Sequence, residues 1–331
     1  MSFGSWRAWI TIAAGAAVSA IFLWFALRQI EVQDVLAAFK TANYLYVLAS
    51  AAALVAGLML RATRWRLIAN AQASKQGSFM RATYIGSLSN MVLPARAGEF
   101  IRIFTLVRLT GSRLVNSVVS SVMDRLVDII MLLIVTAGLY FFMPRTTVVD
   151  KWLGTIVIVG GAIVVGVFIL AVIMGWGRRW LTLLAERLLK GWKLRPDVFF
   201  SELHNETRQL LRGWKSVKLL SVVILIVVLD CLAIGGQLLA FHLQLPVVAT
   251  ILLWVFLSIG SMLPSAPGYI GVYQTAAIWG LSVFYVPPSS AVAVAIVLQA
   301  TMLAVTFLMV GPSVFRLLKT ALEARKGTSG K

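Results

Sequence analysis

Thiol and imidazole chemistry are nearly absent from this sequence: its 331 residues include one cysteine and two histidines. Cys231 alone excludes an internal disulfide and every multi-cysteine metal site, and His204 and His242 cannot make a histidine cluster, so no metal is expected. No Gly-x-x-x-x-Gly-Lys loop occurs, which removes the common phosphate cradle of ATP-driven machines, and no cofactor is expected. Acids are scarce too. Twelve Asp and Glu stand against thirty Lys and Arg, a net charge of +18. Such an excess would suit nucleic acid, but the basic residues collect in short stretches beside apolar runs. There they set topology and touch anionic headgroups, and no nucleic-acid partner is expected.

What the chain has in abundance is apolar sequence, 60% hydrophobic with a mean hydropathy of +0.90. That predicts an all-α polytopic membrane protein, one domain over 1–331, with about six full spans and two broken or re-entrant helical hairpins. The spans are expected at 8–27, 44–60, 114–142, 152–176, 219–241 and 291–310. Arg61, Arg64 and Arg66 read as a cytoplasmic stop after the second span, and 178–218 reads as a basic cytoplasmic connector. Outside positions hold only Arg28, Lys40, Arg145 and Lys151, so both termini are expected in the cytoplasm of a cell whose inner (plasma) membrane the chain crosses.

The chain is organised around residues 90–102, Asn-Met-Val-Leu-Pro-Ala-Arg-Ala-Gly-Glu-Phe-Ile-Arg. Pro94 denies an amide to the arriving helix and biases Leu93 away from the α region, while Gly98 tolerates a tight turn, so the chain must break there. The flanking runs, 82–93 and 99–109, are too short for a span of roughly 20 residues. A hairpin entering from the cytoplasm and returning to it is the economical reading. A second break follows at Pro264-Ser265-Ala266-Pro267-Gly268, between runs 247–263 and 269–285, each long enough to leave open a pair of full spans. Segments 44–142 and 219–310 thus repeat one order with opposite direction, the pattern of transporters that bind between two broken helices. The two tips are expected to face each other.

Six charges sit at the first hairpin and in the span after it. Arg96, Glu99 and Arg102 are spaced i, i+3, and Asp124 and Asp128 share one face of the next helix with Arg125 in reach of Asp128. Each costs about 2.5–3.5 kcal/mol in hydrocarbon, so they must pair or meet water. One reading is a buried salt-bridge network that pins the hairpin, with Arg96 paired to an acid of the third span. The other is that Arg96 and the free amides of the second half-helix, which begins near Gly98, hold a lipid phosphate. Asp230, alone in its span, is a further candidate, and Tyr273 and Gln274 are placed to hydrogen-bond a headgroup from the second tip.

These residues carry a resemblance. Leu93-Pro94-x-Arg96-x-Gly98-Glu99-x-x-Arg102, then Asp124-Arg125-x-x-Asp128, then Pro264-x-x-Pro267-Gly268-x-x-Gly271 resemble the transmembrane flippase-like domain family of lysylphosphatidylglycerol synthetases over nearly the whole chain. The family often has a second Gly after the Pro-Gly pair and a Glu beyond it, where Tyr269 and Gln274 stand here. The resemblance implies a non-enzymatic membrane protein that moves or binds a lipid between leaflets. Its partners would be membrane lipids with anionic or zwitterionic headgroups, and the alternative is an accessory subunit or enzyme of a lipid or envelope pathway. Aminoacyl-lipid synthesis is not expected, since no synthetase domain follows the last span.

Overall fold

A segment surrounded by hydrocarbon must satisfy its own backbone amides and carbonyls, and the helix does so within one segment. The computed structural model describes residues 17, 20–24, 32–70, 76–93, 96–143, 154–155, 158, 160–162, 213–262 and 267–328, with side chains as far as 311. Among the described residues every regular element is helical. In chain order they are α1 (Val32–Thr41), α2 (Tyr44–Ile68), α3 (Gln76–Val92), α4 (Gly98–Thr110), α5 (Leu114–Phe142), α6 (Trp214–Ala240), α7 (Val247–Met262), a 3-10 turn at Pro267–Tyr269, α8 (Val272–Ser282) and α9 (Pro288–Thr328).

Three of these have both the length and the apolarity to cross a bilayer: α2, α6 and the first part of α9, Pro288–Gly311. At 29 residues α5 also has the length, with its three charges in the first half. The expected spans at 8–27 and 152–176 fall mostly outside the described residues. Residues 20–24 are helical, and Thr275 Oγ1 donates to the Phe22 carbonyl at 2.8 Å. Three boundaries differ from expectation. The polar stretch before the second span is the short helix α1, whose Val35 is buried. Residues 214–218, assigned to the connector, already belong to α6, and the rest of 178–218 lies outside the described residues. The third difference, the extension of α2 to Ile68, changes the site and is taken up below.

Helices α2 and α6 run antiparallel and form the most extensive helix pair. The Asn43 amide at the start of α2 donates to the Ala240 carbonyl at the end of α6, 2.8 Å away, and Gly57 lies against Leu229 and Asp230. Between long helices sit two pairs of short ones. In the first, α3 and α4 lie so close that a β-carbon on Gly98 would run into the Gly86 carbonyl and approach Asn90 Oδ1 to 2.5 Å. Gly98 is therefore required for close approach rather than for the turn. The left-handed backbone at this tip falls on Arg96, φ 55°. In the second pair, Gly260 faces Val272 and Ala276 while Gly280 faces Leu253 and Phe256, so α7 and α8 are also antiparallel. At 11 residues, α8 is only about 16 Å long, well short of a bilayer's apolar core. The order long, short, short, long thus occurs twice, as α2–α5 and α6–α9.

Candidate functional site

The extension of α2 carries Arg61 and Arg64 into the protein interior, which corrects their reading as a cytoplasmic stop. A helix running on to Ile68 places the two arginines, one turn apart, opposite the acids of α5 and α6. Arg64 is 2% exposed. Its Nε donates to Asp124 Oδ1 at 2.8 Å and its Nη1 to Asp128 Oδ1 at 2.6 Å. Asp124, 1% exposed, also accepts from Arg102 Nη2 at 2.6 Å. Asp128 in turn accepts from Arg125 Nη1 at 3.0 Å, and Arg125 Nη2 lies 2.8 Å from Glu99 Oε1. Glu99 Oε2 is 3.8 Å from Arg102 Nη1. The result is a closed circuit, Arg102–Asp124–Arg64–Asp128–Arg125–Glu99 and back to Arg102, with three cations and three anions.

Alternation of sign around the circuit lets each buried charge face two of opposite sign, which is how charges persist where water is scarce. The circuit joins α2, α4 and α5 at one point. Arg102 is further held by the ring of Trp65, whose centroid is 4.0 Å from its Cζ, and Trp65 Nε1 donates to Ser120 Oγ at 3.2 Å. The expectation that Arg96 pairs with an acid of α5 is overturned: Arg64, Arg102 and Arg125 occupy every carboxylate there.

Asp230 is not alone. Arg61 Nη2 donates to its Oδ2 at 2.6 Å across the α2–α6 contact, and Trp254 Nε1 donates to the same oxygen at 3.2 Å. Arg61 and Arg64 were missed as site residues because a run of three arginines after an apolar segment looks like an interfacial stop. The available signal was their i, i+3 spacing on the stripe that includes Gly57, which leaves Arg66 on another face.

A cavity of about 510 Å³ opens between the two short-helix pairs and the long helices. Arg61, Arg64, Arg96, Glu99, Arg125, Asp128 and Asp230 line it, with Ser87, Asn90, Ser258, Ser261, Tyr269 and Tyr273. Apolar side chains, among them Leu54, Ile129, Val223, Ile226, Leu298 and Met302, line it as well. The tips do meet at this cavity. A β-carbon on Gly268 would lie 3.7 Å from the Met91 carbonyl, and Tyr269, stacked on Tyr273 with centroids 5.1 Å apart, faces Arg96. Arg96 has no carboxylate partner among the described residues, and its buried Nε has no hydrogen-bond acceptor.

The second tip is held by amides. Gln274 Oε1 accepts from the Gly271 amide at 2.7 Å, its Nε2 donates to Gln299 Oε1 at 2.6 Å, and Gln299 Nε2 donates to the Gly268 carbonyl at 2.7 Å. Gln274 thus serves the turn and, like Pro267, Gly268 and Gly271, is not among the residues that line the cavity. Gln299 was missed, although it is the polar residue facing that turn from an apolar helix. Pro94 and Pro264 lie outside the described residues. Of the sequence-derived candidates, the fold brings Arg96, Glu99, Arg125, Asp128, Asp230 and Tyr273 to one cavity and puts Arg102 and Asp124 directly behind it.

The model of the family described as lysylphosphatidylglycerol synthase TM region matches residues 12–309. No curated protein and no solved structure matches the chain.

Proposed function

The chain belongs to the lysylphosphatidylglycerol synthase transmembrane family, a multi-pass membrane protein with a lipid-related role, and from that premise we propose that it carries lipid headgroups between leaflets through the cavity between its two short-helix pairs. The observation that supports this most is that one cavity is lined both by charged side chains, Arg96 among them, and by many apolar ones. A phospholipid combines the same two characters. Hairpins α3–α4 and α7–α8 act in this reading as re-entrant elements in two inverted halves, because irregular backbone at membrane depth is tolerated where it lines a wet cavity. The neutral circuit fixes α2, α4 and α5 as a rigid wall, and Arg96 at the tip meets the phosphate.

The chain itself does no covalent chemistry in this reading. Every described carboxylate at the site lies within 3.0 Å of an arginine and is committed to an ion pair.

Orientation follows from charge. Arg61 and Arg64 leave the cytoplasmic set, but the remaining basic excess still puts 178–218 and both termini in the cytoplasm. In a Cys231→Ser background, Lys190→Cys should react with an impermeant thiol reagent only after the cytoplasmic face is exposed. Labelling from outside intact cells would reverse the topology.

The path itself is tested at Ser258, a small half-buried residue of the cavity wall. In proteoliposomes bearing Ser258→Cys in that background, attachment of a bulky thiosulfonate should reduce exchange of a fluorescent phospholipid to the protein-free rate. Complete labelling with undiminished exchange would place the path elsewhere.

A further inference from the structure

The charge count of the site narrows the headgroup it takes. Among the described residues five arginines meet four carboxylates here: Arg61 neutralises Asp230, and the closed circuit neutralises itself. Arg96 is the remainder. It lines the cavity, it interacts with the Tyr269 hydroxyl, and it keeps a buried Nε–H with no acceptor. A ligand that leaves this cavity neutral must bring one net negative charge. The carboxylates already face arginines: Asp230, Asp128 and Asp124 each have one at 2.6–2.8 Å, and Glu99 lies 2.8 Å from Arg125 through Oε1 and 3.8 Å from Arg102 through Oε2. An ammonium entering the cavity would meet a surplus guanidinium and carboxylates that already face arginines, and like charges brought together disfavour binding.

We infer that the cavity selects lipids whose headgroup is a phosphodiester with one net negative charge and no ammonium, and rejects the cationic, aminoacylated headgroup after which its family is named. This rests on the proposed lipid path and deepens it. Selection acts through Arg96, whose guanidinium matches two phosphate oxygens and supplies the acceptorless N–H with a partner. The apolar side chains of the lining take the first segments of the acyl chains, so the ligand is a lipid rather than free phosphate.

The test uses the full chain in detergent micelles of low charge, incubated with phosphatidylglycerol, phosphatidylethanolamine and lysylphosphatidylglycerol of identical acyl chains, with retained lipid read by native mass spectrometry. Phosphatidylglycerol should be retained at least about tenfold over lysylphosphatidylglycerol, with phosphatidylethanolamine between them. Arg96→Gln should erase the order among the three, and Arg96→Lys, which restores the charge, should bring it back. Equal or stronger retention of the lysyl lipid overturns the selection and leaves the path intact. Retention of none of the three, while thermal unfolding is unchanged, overturns both. Competition by inorganic phosphate at the concentration that displaces phosphatidylglycerol overturns the assignment to a lipid.

Discussion

Asp124→Asn is expected to be the most damaging single substitution at the site, with a loss of about 3–5 kcal/mol of stability and a sharp fall in recovered protein. The residue is 1% exposed and takes Arg64 on one oxygen and Arg102 on the other. An amide presents one acceptor and turns N–H groups toward the second guanidinium, so Arg64 and Arg102 each lose one of their two counter-charges. Asp128→Asn should be milder, because that side chain is 29% exposed and opens on the cavity. Circuit membership also predicts non-additivity: Arg64→Gln with Asp124→Asn should cost less than the sum of the two, since the pair is removed together. Thermal unfolding of the purified variants checks the order. Additive effects, or an Asp128 variant as damaged as the Asp124 variant, would mean that the charges do not act as one unit.

Arg96→Gly should have the opposite character, a fold at least as stable as the natural one and a lost lipid function. Arg96 occupies the left-handed region at φ 55°, which costs an L-residue roughly 1–2 kcal/mol and costs glycine nothing. The arginine also buries an Nε–H without an acceptor. Both penalties disappear in the variant, so its unfolding temperature should hold or rise. Stability alone would favour glycine here, and in the proposed reading the arginine's strain goes with its role in the cavity, as is common for strained residues at functional sites. A variant that unfolds earlier and still binds lipid normally would make Arg96 a structural residue.

Much of this arrangement was legible in the sequence because it is written in local terms. Pro94 and Gly98, with three charges in an apolar stretch, mark a broken element, and α5 ends at Phe142 where the apolar run meets Pro144. The spacing of Asp124 and Asp128 identifies a polar face. What was not legible is partnership across the fold. Arg64 lies 60 residues from Asp124, and Arg61 lies 169 from Asp230. In a linear reading only the i, i+3 spacing of Arg61 and Arg64 hints that these arginines continue a helix into a buried charge cluster rather than end a span. Gln274 illustrates the same limit. Its position near the second tip suggested a headgroup contact, whereas its amide is consumed by Gly271 and Gln299, the latter supplied by a helix that local spacing cannot bring into view.

Leaflet exchange of a fluorescent phosphatidylglycerol, followed by dithionite quenching in proteoliposomes of the unaltered chain and of Arg96→Gly side by side, tests the central claim most directly. The unaltered chain should exchange the lipid well above protein-free vesicles. The variant, equally well inserted and folded, should fall to the protein-free rate. Exchange by both at the same rate would contradict a headgroup path through this cavity, and exchange by neither would contradict translocation itself.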